Sequence, residues 1–223
     1  MKLNIFCDFD GTITEVDTTD AILEAFALPE YRDWELLWEQ GLITGRECME
    51  RQTRLINAHP QTLRLFCKHL PVDVGIYELE NACLRTGSSL MIVSDGIDLS
   101  MDAVLKTCGL GHIPHCSNRL RWDSGRRPFL TFPFGNPNCR GGCGVCKCKI
   151  LDETRRDTPA VYIGDGLSDS CVVHRADRVF AKNRLREYCL QNEISHEPFA
   201  KLSEVARVLF DDSYPDELLR DSL

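Results

Sequence analysis

The chain lacks most of the features that would assign it to a class at a glance. Across 223 residues no apolar run approaches the roughly 20 needed to cross a bilayer. The N-terminus has no signal-peptide pattern, because Asp8 and Asp10 interrupt its apolar stretch almost at once. Dense lysine or arginine blocks are missing, and 34 acidic against 26 basic residues give a formal net charge of -8. That balance speaks against nucleic acid as a general partner and leaves a small phosphorylated metabolite open. Internal repeats and low-complexity segments are absent as well. What remains is a soluble, enzyme-sized chain, expected to be cytoplasmic, without membrane or nucleic-acid partners, and a monomer or homodimer.

Cysteine, by contrast, is abundant. Twelve cysteines would suggest disulfides in a small secreted protein. Here Cys67, Cys83 and Cys108 sit inside apolar helical patterns and read as reduced core residues.

The most informative feature is the run Phe6-Cys7-Asp8-Phe9-Asp10-Gly11-Thr12. It follows an apolar segment, Leu3 to Cys7, that reads as a buried strand, and Gly11 supplies the turn. Two carboxylates at one strand end repel unless something cationic lies between them. A divalent metal removes that conflict and leaves one carboxylate free to act as a nucleophile.

Three more apolar runs read as core strands: Leu90–Val93, Val161–Gly164 and Arg178–Ala181. The first two of these run into Ser94-Asp95-Gly96 and Gly164-Asp165-Gly166, and helical patterns follow at about Asp98–Cys108 and Ser168–Ala176. Strands alternating with helices predict an α/β fold with a Rossmann-like parallel sheet and helices on both faces. The three acidic clusters would then converge beyond the carboxyl ends of the strands.

The segment between the first two clusters is too long for a simple crossover and reads as helical. Asp17 or Thr18 is placed to cap a helix through Ala27. Apolar residues recur at helical spacing over Pro29–Gln40, Thr44–Asn57 and Pro60–Leu70, and a helix from about Val74 to Arg85 stops at Gly87. We expect residues 15–75 to form a small helical cap inserted after the first strand, with 1–14 and 76–223 forming the core domain. Trp34 and Trp38 are expected to pack inside that cap rather than meet substrate. Cap arginines Arg46, Arg51 and Arg54 are expected on a solvated helix face. Further on, Ser117–Trp122 and Phe129–Phe132 flank a turn and read as a hairpin, and the acidic end from Asp211 reads as a loosely held tail.

The succession of Asp8-Phe9-Asp10-Gly11-Thr12, then Ser94, then a lysine, then Gly164-Asp165-Gly166-Leu167-Ser168-Asp169 resembles the four-motif signature of the haloacid dehalogenase-like phosphatases. The likeness spans nearly the whole chain. It implies a Mg2+-dependent phosphoric monoester hydrolase in which Asp8 takes the phosphoryl group as an aspartyl phosphate. It implies that Asp10 protonates the leaving oxygen and then activates water. Magnesium would be held by Asp8, the Asp10 carbonyl and Asp165, with Asp169 supporting the shell. Ser94 would meet a phosphoryl oxygen, with Gly96 in the same substrate-binding turn. A lysine would offset the charge on phosphate and nucleophile. In such phosphatases that lysine begins a helix and apolar residues follow shortly after. Lys147 fits this better than Lys149, which falls further into the helix.

The inserted helices resemble those of the subgroup containing phosphoserine phosphatase. There a glutamate that meets the substrate amine falls where this chain has Asp17, whose other reading is a helix cap. The run Cys143-Gly144-Val145-Cys146-Lys147 resembles the branch that includes the methionine-salvage phosphatase acting on 2-hydroxy-3-keto-5-methylthiopentenyl-1-phosphate. The phosphoethanolamine/phosphocholine phosphatases are more distant. The same run has metal-knuckle spacing, so Cys139, Cys143, Cys146 and Cys148 are candidate ligands for a structural Zn2+; a reduced, compact, glycine-rich loop is the preferred reading. Two readings from other classes stand behind the phosphatase: a phosphotransferase, which would hand the aspartyl phosphate to another hydroxyl, and a non-enzymatic zinc-binding module, which would leave the carboxylates unexplained.

Overall fold

A computed structural model describes residues 2–139 and 142–211; the tail expected beyond Asp211 lies outside these residues. Strand β1 (Asn4–Cys7) is the centre of the sheet. It pairs in parallel with β2 (Ser89–Ile97) on one side and β5 (Ala160–Gly164) on the other. Beyond β5 lie β6 (Arg178–Ala181) and β7 (Glu197–Pro198), both parallel. Beyond β2 lie β3 (His115–Trp122), parallel, and β4 (Pro128–Thr131), its antiparallel hairpin partner. The order β4-β3-β2-β1-β5-β6-β7 means that the chain builds outward from β1 first in one direction, then in the other. A crevice opens at such a switch point beyond the strand ends, and Asp8 is the first residue past β1.

Both faces of the sheet are covered, which is why its strands are continuously apolar rather than alternating. On one face Ile5, Cys7, Ile92 and Ile163 pack against α5 (Gly75–Thr86), α6 (Asp98–Thr107) and α9 (Leu202–Phe210). On the other, Phe6, Val93, Tyr162 and Val179 meet α7 (Lys147–Thr154) and α8 (Asn183–Gln191). Each fully buried large side chain, such as Ile5 or Phe180, contributes about 1.5–3 kcal/mol of transfer free energy. Among the described residues, no helix is long and apolar enough to cross a membrane.

Between β1 and α5 lie α1 (Thr18–Phe26), α2 (Tyr31–Glu39), α3 (Gly45–Thr53) and α4 (Pro60–Cys67). Their starts are written in the sequence. Asp17 caps α1 through the amides of Thr19 and Asp20, Thr44 and Glu47 form a capping box on α3, and Pro60 opens α4. The chain leaves and rejoins the core side by side, for Thr14 pairs with Val72 and Asp73 N–H bonds the Ile13 carbonyl. Ile22, Leu23 and Leu63 from these helices, with Ile56 from the α3–α4 connection, pack with Leu99, Leu120 and Leu130 of α6 and the hairpin.

The helix expected over Ser168–Ala176 is replaced by two short 3₁₀ turns, Leu167–Asp169 and Val172–His174. The cause is Asp169, which is fully buried and whose carboxylate accepts the amides of Asp165 and Gly166. Folding that side chain back under its own turn closes i→i+3 bonds and interrupts the wider α-helical spiral.

Candidate active site

The floor of the crevice is built from adjacent strand ends. Asp8 is buried at the end of β1, its amide bonding the Ile163 carbonyl of β5. Lys147, the first residue of α7, reaches in so that its Nζ lies 2.8 Å from Asp8 Oδ1 and also bonds Asp169 Oδ1. Lys147 is only 2% exposed. Burial alone would drive its ammonium neutral, but Asp169 and Asp8 together hold its pKa above the usual lysine range. Lys149 instead faces solvent, 3.8 Å from Glu153, an ordinary i,i+4 surface pair.

The three carboxylates Asp8, Asp165 and Asp169 bring donor oxygens within 4.8 Å of one another. Burial, then the charge of Asp169, raises the Asp8 carboxyl well above its ordinary range, and the same two causes raise Asp165. Three carboxylates against one ammonium leave two negative charges, the complement of a divalent cation. The partners divide their roles. Asp169 is saturated by Lys147, the Tyr162 hydroxyl and two amides. Asp165 is steadied by the fully buried Thr12 at 3.0 Å and, on the exposed side, by Asn183 at 3.3 Å. Gly11, at φ 73°, passes so close to Asp165 that a side chain there would strike its carboxylate.

Asp10 stands apart from this group. Its Oδ1 accepts from the Thr18 amide (2.9 Å) and hydroxyl (2.6 Å), and its Oδ2 accepts from Ser94 Oγ at 2.9 Å. Ser94 in turn accepts the Gly96 amide at 2.8 Å. The hydroxyl expected to meet a phosphoryl oxygen is therefore engaged in holding Asp10. Gly96 is required at its position because a Cβ would collide with Asp10 Oδ2. Ser94, Asp95 and Gly96 lie within β2 rather than after it, at a register shift against β3 that kinks the strand into the crevice. Asp95, which is not among the expected site residues, accepts from Val145 N at 2.7 Å and from Asn118, anchoring the loop that delivers Lys147.

Over this floor opens a cavity of about 440 Å³. Its upper wall comes from the inserted helices: Asp17, Asp20, Glu35, Trp38, Met49 and Gln52. Trp38 thus faces the cavity instead of packing in a cap interior. The reason is that α2 buries none of its residues and rests on α3, so its inner side is left toward the crevice. Trp34 carries Arg51 on its ring at 4.6 Å. Arg51 stays exposed, as expected, whereas Arg46 is half-buried: it stacks on Phe132 and donates to the Cys143 carbonyl, joining α3 to the loop before Lys147. Arg54 pairs with Glu50 on an open helix face, as expected. Asp17 keeps its capping role through Oδ1 while lying in the cavity wall.

The carboxylates of the upper wall crowd one another. Both side chains are exposed yet enclosed by the cavity wall: that enclosure, then Asp10 and Asp20, raises Asp17, and enclosure, then Glu35, Asp10 and Glu24, raises Asp20 to about 6. Arg184, in the cavity wall, lies 3.5 Å from Glu39. Tyr162, Asp20 and Glu35 carried no signal in the sequence, since a buried tyrosine in a strand and acids on helices are ordinary. Thr12 closes the first motif and Thr18 follows it, and these two were the nearest to being legible.

The four candidate zinc cysteines do not form one donor set among the described residues. No three of them bring their sulfurs within 4.8 Å of one another, and all four are free thiols.

Comparison with known proteins follows the same lines. A model of the family described as "Putative Phosphatase" matches residues 3–209. A protein of Brevibacillus brevis (strain 47 / JCM 6285 / NBRC 100599) named 2-hydroxy-3-keto-5-methylthiopentenyl-1-phosphate phosphatase is 35% identical over 218 residues, covering 93% of this chain and 95% of that one. A crystal structure of phosphoserine phosphatase from T. onnurineus in complex with NDSB-201 superposes with a TM-score of 0.70 at 17% identity, covering 95% of this chain and 96% of the other. A structure titled as a phospho-aspartyl intermediate analogue of phosphoserine phosphatase gives a TM-score of 0.66 at 19% identity, covering 93% and 98%. The two structural likenesses establish a shared α/β fold.

Proposed function

The chain belongs to the family described as "Putative Phosphatase", and from that premise we propose that it hydrolyses a small phosphate monoester through an aspartyl phosphate on Asp8. The observation that carries this reading is the buried Lys147 ammonium bonded to both Asp8 and Asp169. It lets Asp8 remain an anion at a buried strand end while facing an anionic phosphoryl group. An Asp8 oxygen attacks phosphorus and the ester oxygen leaves, taking a proton from Asp10. Asp10 then takes a proton from the water that attacks phosphorus, and the P–O bond to Asp8 breaks. Ser94 and Thr18 fix the Asp10 carboxyl for both transfers. Asp8 and Asp165, with the Asp10 carbonyl, would hold Mg2+, whose charge neutralises the phosphoryl oxygens, and Asp169 would brace that set. Residues 15–75 act as a cap that closes over the leaving group, leaving 1–14 and 76–223 as the core. The cysteines are free thiols, which fits a reducing compartment such as the cytoplasm.

For the substrate, the first reading is the methionine-salvage enol phosphate named for the relative, whose apolar thioether suits Trp38, Met49 and Val16 in the wall. A second reading has a specific support: Asp17, Asp20 and Glu35 line the same wall, and the buried Thr19 hydroxyl there has no partner. Crowded carboxylates favour a leaving group that carries an ammonium, as in phosphoserine, phosphoethanolamine or phosphocholine. Release of phosphate from p-nitrophenyl phosphate, with and without Mg2+, tests the chemistry. Asp8→Asn should lower the rate by at least about 10³-fold, and activity surviving that change would refute the aspartyl phosphate. A panel holding the methylthiopentenyl phosphate and the three amine-bearing esters then ranks the two substrate readings by kcat/KM.

A further inference from the structure

The loop that delivers Lys147 is held from two sides, and its outer hold comes from the inserted helices. Two residues before the lysine, the Val145 amide bonds Asp95 Oδ1 at 2.7 Å. Asn118 of β3 donates to that carboxylate and to the Asp95 carbonyl. The Cys146 amide bonds the Phe134 carbonyl at 2.9 Å, and together these bonds fix the inner side of the loop. On the outer side stands Arg46, the second residue of α3. Its amide, which a helix cannot satisfy internally so near its start, bonds the Gly142 carbonyl at 3.1 Å. Its guanidinium lies over the Phe132 ring at 5.0 Å and donates through Nη2 to the Cys143 carbonyl at 3.2 Å. Gly135 makes room for that group, since a Cβ there would strike Nη2. The Arg46 Nε is buried without a hydrogen-bond partner among the described residues. A buried N–H left unbonded is a cost, and here it accompanies a fork aimed at one carbonyl.

The helix that carries Arg46 has a second duty, for its Gly45, Cys48, Met49 and Gln52 line the cavity above the floor. We propose that Arg46 is a positioning residue for Lys147: it ties α3 to the lysine-bearing loop, so that the lysine is aligned on Asp8 through the seating of α3 over the crevice. The path is short. Arg46 holds the Cys143 carbonyl, Val145 is pinned to Asp95, and Lys147 opens α7 four residues after Cys143. Lys147 has no slack at its far end, because its ammonium, itself buried, bonds both Asp8 and Asp169. A displacement of about 1 Å at such a group costs about 10²-fold in rate. Arg46 is not among the residues that line the cavity. Its loss should therefore fall on kcat rather than on KM, whereas a packing role alone would loosen the fold as a whole.

The rate effect rests on the phosphatase reading, whereas the tether is read by hydrogen exchange, so the two fail separately. The full-length chain and its Arg46→Met variant are compared by amide exchange resolved on peptide fragments and by p-nitrophenyl phosphate turnover with Mg2+. In Arg46→Met the fragment carrying the Val145 and Cys146 amides should exchange at least about tenfold faster, while fragments from β5 and α6 keep the native rate. Over the same substitution kcat should fall at least about tenfold, with KM within about twofold of native. Arg46→Lys, which keeps a cation near Phe132 and a donor toward Cys143, should recover part of both losses, and so should methylguanidinium added to Arg46→Ala. The proposal is overturned if the loop fragment exchanges at the native rate or if β5 and α6 loosen along with it. It is overturned equally if an active native chain keeps its kcat on losing the guanidinium, or if KM carries the loss. Native protein that releases no phosphate would refute the phosphatase reading instead, and the exchange arm would still decide the tether.

Discussion

The floor and the upper wall of the cavity are both acidic, yet they handle their charge in opposite ways. On the floor each carboxylate has a fixed partner: Lys147 bridges Asp8 and Asp169, Thr12 and Asn183 steady Asp165, and Ser94 and Thr18 hold Asp10. On the wall, Asp17, Asp20 and Glu35 face shared space, and the bonds they do make are to a helix end, to Gln52 or to the Cys48 thiol. A cation built into the floor makes it ready for one chemistry whatever the substrate. The wall leaves its electrostatic demand to whatever enters. The difference separates reaction from specificity within about 440 Å³.

The largest break in that contrast would come from removing the floor's own cation. Lys147→Ala leaves Asp8 and Asp169 buried without a counter-charge, a loss on the order of 3–5 kcal/mol in stability. Turnover should become undetectable and the melting temperature should fall clearly. Lys149→Ala, whose side chain is half exposed, should change neither. The reverse pattern, with Lys149 essential and Lys147 dispensable, would show that the wrong lysine has been placed in the site.

Asp10→Asn should have the next largest effect. Loss of a general acid is worth about 10²–10⁴-fold. The fall should be steep on an alkyl phosphate, whose leaving oxygen needs a proton, and shallower on p-nitrophenyl phosphate, whose leaving group is stable as an anion. An undiminished rate on the alkyl ester would remove Asp10 from proton transfer.

The two halves of the cavity were also unequally legible in the sequence. Asp8, Asp10, Asp165 and Lys147 stand at strand ends or at a helix start, where local pattern and topology dictate position. For that reason the parallel sheet, the hairpin and the convergence of the clusters were all readable. The structure brings Ser94 into the crevice, yet its hydrogen bond to Asp10 depends on a register shift in β2 that no local pattern announces. The 3₁₀ turns after Leu167 went unseen because their cause is the buried Asp169 carboxylate, a tertiary effect that overrides helical spacing. The wall was least legible of all. Trp38 and Glu35 lie on a short helix whose periodicity says which side is apolar but not what that side faces.

The smallest expected effect, and the one that most sharpens the contrast, is a pH-dependent gain in stability from the wall. Enclosure in the cavity wall, then Glu35, Asp10 and Glu24, push the Asp20 carboxyl up to about 6 in the folded chain although its side chain stays open to solvent; in the unfolded chain it loses its proton near 3.9. Between those values the folded state binds more protons, so this group lowers stability as pH rises through the window, with the full penalty present above about 6. Asp20→Asn should therefore raise the melting temperature at pH 8 and leave it unchanged near pH 3.5. The floor offers the opposite sign, since stripping a partner from Lys147 destabilises the fold. If the wall exists to receive a cation, an amine-bearing phosphate should bind less well to the Asp20→Asn protein while a neutral ester of similar size is unaffected. Melting curves across pH 3.5–8, paired with KM for the two esters, distinguish the cases. Equal melting shifts at both pH extremes would show that Asp20 is not titrating in the crowded wall, and equal KM changes for both esters would assign the wall to shape rather than charge.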